Sequence, residues 1–390
     1  MQGEPSFGES LELFQNRVSS FAPGETVHQY QNIFRKPTDL KAQVIIKAGP
    51  SALLTVPESV LPVIDTLLPR FLVPVVLPAS YSVVPVPDEA VKRVQGWLDS
   101  LNFNPDVAAL VEHLSVDAMR SDIRYLTGED ESSGIISRSS FSEGARQAAE
   151  WIKGKFESSG ATCELRDFLA GFAPNVICRY PSLVNTTGTI ILSAHYDSRG
   201  SFGSLRAPGG DDDGSGVLSI LGIAKTIKDK GIRFKSNVEL VAFAGEEQGL
   251  LGSRAYSKEL READANVTLM IQSDMLGYHK AGEPPQLGLP ATIGTTEVAQ
   301  LLANVSHIYS PELSVGITLA CCSDHQTFHQ QGFPATQAFE RAGYIADPMY
   351  HNSGDVSDRP GYDLEQIRSI AKATFGTLLH ASGFEFDEVA

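Results

Sequence analysis

The chain has 390 residues, with 42% hydrophobic and 20% charged residues, 34 Gly and 22 Pro. That balance excludes a collagen-like, coiled-coil or wholly disordered chain, and at about 150 residues per domain it allows roughly two to three domains. Lys+Arg 31 against Asp+Glu 47 gives −16, a charge that repels phosphate backbones, argues against nucleic acid as a partner and concentrates cations.

The start, Met1-Gln2-Gly3-Glu4-Pro5, has neither a basic region nor an apolar core, so no signal peptide is read there. Residues 1–104 form the first predicted domain, a smaller α+β accessory domain or prosegment. It carries extended runs at Gln43–Ala48, Phe71–Leu77 and Tyr81–Val86 and one helix at Glu89–Leu101. The apolar stretch from Phe71 is cut by Pro74, Pro78 and Pro85, and no run approaches the roughly 18 apolar residues of a membrane span. Asn102-Phe103-Asn104-Pro105 reads as the junction, and the loop Gly128–Gly134 as a second exposed point.

From residue 105 to 390 the pattern alternates. Helices are predicted at Val107–Leu126, Ser142–Ser159, Ser215–Lys230, Gly249–Arg261, Thr295–Tyr309 and Asp363–Ala381. Buried strands are predicted at Gly188–Ala194, Val238–Ala244, Val267–Ser273 and Ala335–Phe339. This is an α/β domain built on a mixed, mostly parallel sheet flanked by helices. The runs Ala161–Phe168 and Pro174–Tyr180 form a hairpin that would set Cys163 opposite Cys178, either as a disulfide or as two small buried thiols. Adjacent Cys321 and Cys322 are not expected to pair with each other. Acceptor sequences for N-glycosylation begin at Asn185, Asn266 and Asn304. They favour a secreted glycoprotein weakly, and a cytoplasmic location stays open.

The residues after the strands carry the chemistry. Thr189–Ala194 runs into His195-Tyr196-Asp197, Val238–Ala244 into Gly245-Glu246-Glu247, and Val267–Ser273 into Asp274. Between the first two lies Asp211-Asp212-Asp213, and His351 follows near the C-terminus. Each piece alone reads as a solvated turn or a helix N-terminus. Together they need a common reason, because carboxylates placed after buried apolar strands are costly unless paired. A divalent centre supplies one. His nitrogen with Asp and Glu oxygen suits zinc, and five ligands suffice for two ions if one carboxylate bridges.

Six segments occur in the order of the di-zinc aminopeptidase family, whose familiar members are the bacterial leucyl aminopeptidases. They are His195-Tyr196-Asp197-Ser198, Pro208–Gly216, Gly245–Ser253, Asp274-Met275, Cys322–His325 and His351–Asp355. The resemblance covers about residues 105–385. It implies a zinc-exopeptidase-like fold and two zinc ions per chain. It places one zinc on His195 and Asp274, the other on Glu247 and His351, and Asp212 between them. It implies Glu246 as general base and Asp197 as the residue that orients His195. The expected partners are peptides with a free N-terminus, with no membrane or nucleic acid. The family's apolar pocket maps onto Met275, Cys322, Phe339 and Tyr350, which implies an apolar first residue. The chain departs from the family at Thr318, where a pairing Cys is common, and at Ala320, where some members have a tyrosine near the oxyanion. Oxyanion support is then expected from zinc alone or from another residue such as Tyr344. Three alternatives accompany this reading: a single-zinc glutaminyl-cyclase-like transferase, a carboxypeptidase using Arg199, Arg206 and Arg341, and a receptor-like relative without metal. Oligomeric state is not readable from the sequence.

Overall fold

A computed structural model describes residues 6–20, 41–48, 51–69, 72, 84–320 and 322–387. The chain divides into two compact units, Met1–Tyr81 and Ser82–Ala390. In the first, α1 (Phe7–Ser20), the hairpin β1 (Gln43–Ala48) and β2 (Ser51–Thr55), a short 3-10 turn and α2 (Ile64–Leu67) surround Phe14, Val18, Ala42 and Val60. Of the predicted strands Phe71–Leu77 and Tyr81–Val86, all but residues 72 and 84–86 lie outside the described residues.

The larger unit begins ahead of the expected junction. Helix α3 (Asp88–Ser100) buries Val94 and packs Trp97 and Leu98 on the main core. Asn102–Asn104 is no free linker: the Asn104 N–H donates to the Tyr309 hydroxyl at 2.9 Å, and Asn104 Oδ1 caps the next helix by accepting from the Asp106 N–H at 2.8 Å. The single helix expected over Val107–Leu126 is two, α4 (Pro105–Val111) and α5 (Val116–Leu126). Ser115 interrupts it in an extended conformation and accepts from the Ala118 N–H, so its side chain starts a new helix. Helix α6 (Glu143–Ser158) follows, capped by Ser142.

The hairpin β3 (Thr162–Arg166) and β4 (Asn175–Tyr180) is antiparallel, with Cys163 opposite Cys178 and the two joined by a disulfide. Cys322 is also disulfide-bonded; Cys321, and with it the expectation about the adjacent pair, lies outside the described residues. After β5 (Thr189–His195) come α7 (Gly214–Lys230), β6 (Ile232–Phe234), β7 (Asn237–Phe243), α8 (Leu251–Glu262) and β8 (Val267–Ser273). Then follow β9 (Gln286–Pro290), α9 (Thr296–Tyr309), β10 (Ser314–Thr318), α10 (His325–Gln330), β11 (Ala335–Ala338), α11 (Leu364–Ser382) and β12 (Phe384–Phe386).

The main sheet runs β11-β8-β5-β7-β4-β3, parallel through the first four strands and antiparallel in the last two. Both faces are covered, which is why its central strands read as nearly continuous apolar runs. Ile190, Leu192 and Ala194 of β5 face the larger core, shared with α5, α6, α7, α9 and α11, whereas Ile191 faces a smaller core with Tyr256 and Phe328. Strand β5 has β7 on one flank and β8 on the other. The chain therefore reverses its direction of strand addition at β5, and the carboxyl ends of these three strands open a crevice suited to a ligand. Among the described residues no helix is long and apolar enough to cross a membrane.

Candidate metal centre

The three strand ends deliver His195, Glu246 with Glu247, and Asp274 to that crevice, and the loop before α7 brings Asp212. The Nε2 atom of His195 lies 3.3 Å from Asp212 Oδ1, 3.6 Å from Asp274 Oδ1 and 3.9 Å from Glu246 Oε2. The other oxygen of Asp212 is 3.1 Å from His351 Nε2, which is itself 3.2 Å from Glu247 Oε2. The structure thus brings all five expected ligands and the expected base together, with Asp212 facing both imidazoles.

The three acids of the Asp211–Asp213 run serve separate ends. Asp211 Oδ1 accepts from the Gly277 N–H at 2.7 Å and anchors the chain beyond β8. Asp213 caps α7: it accepts from the main-chain N–H groups of His195 at 3.0 Å, Gly216 at 2.8 Å and Met275 at 3.2 Å. An oxygen of Asp213 also falls within 4.8 Å of His195 and Asp274 ligand atoms. Its commitment to three N–H donors nevertheless leaves Asp212 as the carboxylate aimed into the crevice. Gly216 is needed for this closeness, since a Cβ there would meet Asp213 Oδ1 at 2.4 Å and the Ser273 carbonyl at 2.3 Å.

Electrostatically the cluster is rich in buried acids. Burial opposes protonation of His195, but the charges of Glu246 and Asp274 outweigh it and hold its pKa well above the ordinary histidine value. Burial also drives the Glu246 carboxyl well above the ordinary range, helped by the charges of Asp274 and Asp324. Burial would raise Asp212 as well, yet its contacts with His195 and His351 keep it low. Despite three carboxylates nearby, buried His195 Nε2 has no hydrogen bond, and neither does buried Glu247 Oε1. Orphaned buried atoms of this kind are rare in native proteins. A divalent cation beside each residue would satisfy these atoms, so the donor set fits metal.

Asp197 contacts His195 as expected, but through its main chain. His195 Nδ1 meets the Asp197 main-chain carbonyl at 3.0 Å, while the carboxylate, at 3.6 Å, serves other groups. It accepts from the N–H groups of Glu246 at 3.2 Å and Glu247 at 3.3 Å and from the Ser140 hydroxyl at 2.8 Å. Asp197 therefore fixes the turn that presents the base and one ligand. The crevice is lined by Met275, Cys322, Phe339 and Tyr350 as expected, with Ala320, Gln337 and Ile345 besides. Tyr344 does not line it: its side chain belongs to a residue 73% exposed, and its carbonyl accepts from Arg341 Nη1. Ile345 occupies that rim instead.

Two positioning residues carried no clear signal in the sequence. Asp355 accepts from the N–H groups of Asp211 at 3.0 Å and Asp212 at 3.1 Å and pairs with Arg359 at 3.0 Å, which sets the backbone of the bridging acid. Arg138 is fully buried and donates to the carbonyls of Tyr196 at 2.8 Å, Leu126 at 2.9 Å, Gly209 at 2.7 Å and Pro208. It thereby ties the His195 turn to the Asp212 loop.

The sequence model of peptidase family M28 matches residues 175–376, more than half of the chain. Leucine aminopeptidase 1 of Trichoderma harzianum is 29% identical over 330 residues, 80% of this chain and 77% of that protein. Among solved structures, the LapA aminopeptidase of Legionella pneumophila superposes with a TM-score of 0.65 at 22% identity, covering 72% of this chain and 73% of that one. A glutaminyl cyclase of Fimbriiglobus ruber superposes at 0.58 with 17% identity, covering 72% and 97%. These likenesses show a shared fold, and the fold by itself does not choose between the two chemistries.

Proposed function

The chain belongs to peptidase family M28, and from that premise we propose that it is a metal-dependent aminopeptidase that holds two zinc ions and releases apolar N-terminal residues from peptides. The observation that carries the two-ion reading is Asp212, whose two oxygens face His195 and His351 separately. His195 and Asp274 would hold one ion, Glu247 and His351 the other, with Asp212 between them. Bound zinc supplies Lewis-acid polarisation of a carbonyl and acidifies water.

The chain's own residues do the rest. Glu246 faces the same crevice without belonging to either ligand set. It accepts the proton of the attacking water and returns it to the leaving amine. Asp197 holds its main-chain N–H, so the carboxylate arrives pre-positioned. Met275, Phe339, Ile345 and Tyr350 shape an apolar wall for the first side chain, in keeping with the leucine aminopeptidase naming of the Trichoderma relative. Acidic groups beside that wall favour a protonated substrate amine. A panel of aminoacyl-anilides tests this reading: leucyl, methionyl and phenylalanyl substrates should be cut faster than aspartyl or glycyl ones.

The Cys163–Cys178 disulfide and the exposed acceptors Asn185 and Asn266 support a secreted protein. The N-terminal unit contributes none of the ligands, which supports a prosegment or accessory role. Limited proteolysis ahead of α3 followed by assay tests it: a rise in activity supports an inhibitory segment, and a loss of stability supports a structural one.

A further inference from the structure

One cation already sits in the candidate centre. Arg199, four residues beyond the end of β5, reaches in from the rim: its side chain is 50% exposed, whereas that of its partner Glu247 is 2% exposed. Its Nη2 lies 3.0 Å from His351 Nε2 and its Nε lies 3.1 Å from Glu247 Oε2. These two atoms are among those that would complete the second metal subsite. The lone pair of His351 Nε2 that takes the guanidinium N–H is the same lone pair a metal would take. Nor can Nε2 donate to Asp212 and Glu247 while it accepts from Arg199, so the cluster holds more demands on this atom than one proton state meets.

The loop that carries Arg199 is tied to the loop that carries His351. The Ser201 N–H donates to Ser353 Oγ at 3.0 Å, the Ser353 N–H donates to Ser201 Oγ at 3.1 Å, and Ser353 Oγ donates to the Arg206 carbonyl at 2.8 Å. The guanidinium is thus delivered to the Glu247–His351 pair by a fixed backbone. The other subsite is built differently, because the ion-pair contacts of His195 are with Asp197, Asp212, Glu246 and Asp274.

We propose that Arg199 is a positioning residue that serves as the removable counter-cation of the second metal subsite. In the metal-free protein it neutralises Glu247, whose burial would otherwise leave an expensive unpaired charge. The second ion displaces it to the rim. Arg199 therefore weakens binding of that ion and makes the His195–Asp274 subsite fill first. This rests on the two-zinc reading given above.

The test is a calorimetric titration of zinc, with a competing chelator, into the metal-free full chain as wild type, Arg199→Gln and Arg199→Lys. The second binding event should tighten roughly five- to tenfold in the glutamine variant, the scale of a half-exposed charge-assisted pair. The first event should not change, and the lysine variant should lie between. With chelator present, the glutamine variant should melt below the wild type; loaded with zinc, the two should melt together. A merely structural role for Arg199 would lower both melts and tighten neither event. A second event that is unchanged or weaker in Arg199→Gln, beside a wild type that binds two ions, overturns this proposal alone. A wild type that binds fewer than two ions overturns the two-zinc reading and this proposal with it.

Discussion

The Nε2 atom of His195 and the Oδ1 atom of Asp212 lie 3.3 Å apart, both buried, and form no hydrogen bond. A buried nitrogen left unpaired beside a carboxylate oxygen is the arrangement in which both could turn their lone pairs toward one cation. The second oxygen of Asp212 lies 3.1 Å from His351 Nε2. Asp212→Ala removes the one ligand common to both sets, so it should strip both ions from the chain. Elemental analysis of the purified variant, with circular dichroism to confirm folding, checks this. Retention of two ions would remove Asp212 from its bridging place.

Glu246→Gln separates base from ligand. Glutamine keeps the length of the side chain and loses the proton acceptor. Turnover should fall on the order of 10²–10⁴-fold, the usual range for a general base, while metal content stays at the wild-type level. Loss of metal in this variant would move Glu246 into the ligand set.

A free amine should be required. The crevice combines Asp212, Glu246 and Asp274 with its apolar wall, a setting that favours a cation at the substrate terminus. N-acetylated peptides should resist cleavage when assayed beside their free counterparts. Efficient cutting of the blocked peptides would point to an endopeptidase or carboxypeptidase.

Arg138→Met tests the positioning of the loops. Arg138 donates to the carbonyls of Tyr196, Leu126, Pro208 and Gly209 from a fully buried site. Methionine fills the space and leaves those carbonyls unpaired, which should cost on the order of 3–5 kcal/mol of stability in a denaturant melt. A loss below about 1 kcal/mol would mean that the loops hold their place without it.

Much of this centre was legible in the sequence, for one physical reason. Parallel strands covered on both faces are apolar to their ends, so polar groups such as His195, Glu246 and Asp274 mark where each strand leaves the core. Parallel strands also bring those ends together without any local contact in sequence. What stayed hidden depends on tertiary partners. Ser115 looks like one more polar residue on a helix until its hydroxyl is seen capping α5. Arg138 sits between Ser137 and Ser139 and reads as surface, yet four carbonyls surround it. Asp197 was expected to orient His195; it meets that ring through its main-chain carbonyl, which leaves its carboxylate to the two N–H groups of the turn at Glu246. Tyr344 was offered as a substitute for the tyrosine missing at Ala320, and the chain instead carries it to an exposed position. Helix α1 was missed because its apolar face, Leu11, Phe14 and Val18, is short and interrupted.

In the proposed function hydrolysis depends on metal held by His195, Asp212, Glu247, Asp274 and His351. Zinc titration of the chelator-treated chain, following leucyl-anilide cleavage and bound metal together, tests it most directly. Activity should be absent at the start and rise with occupancy to a plateau at two ions per chain. Full activity in the metal-free chain, or a plateau of bound zinc with no hydrolysis of any free-amine substrate, would contradict it.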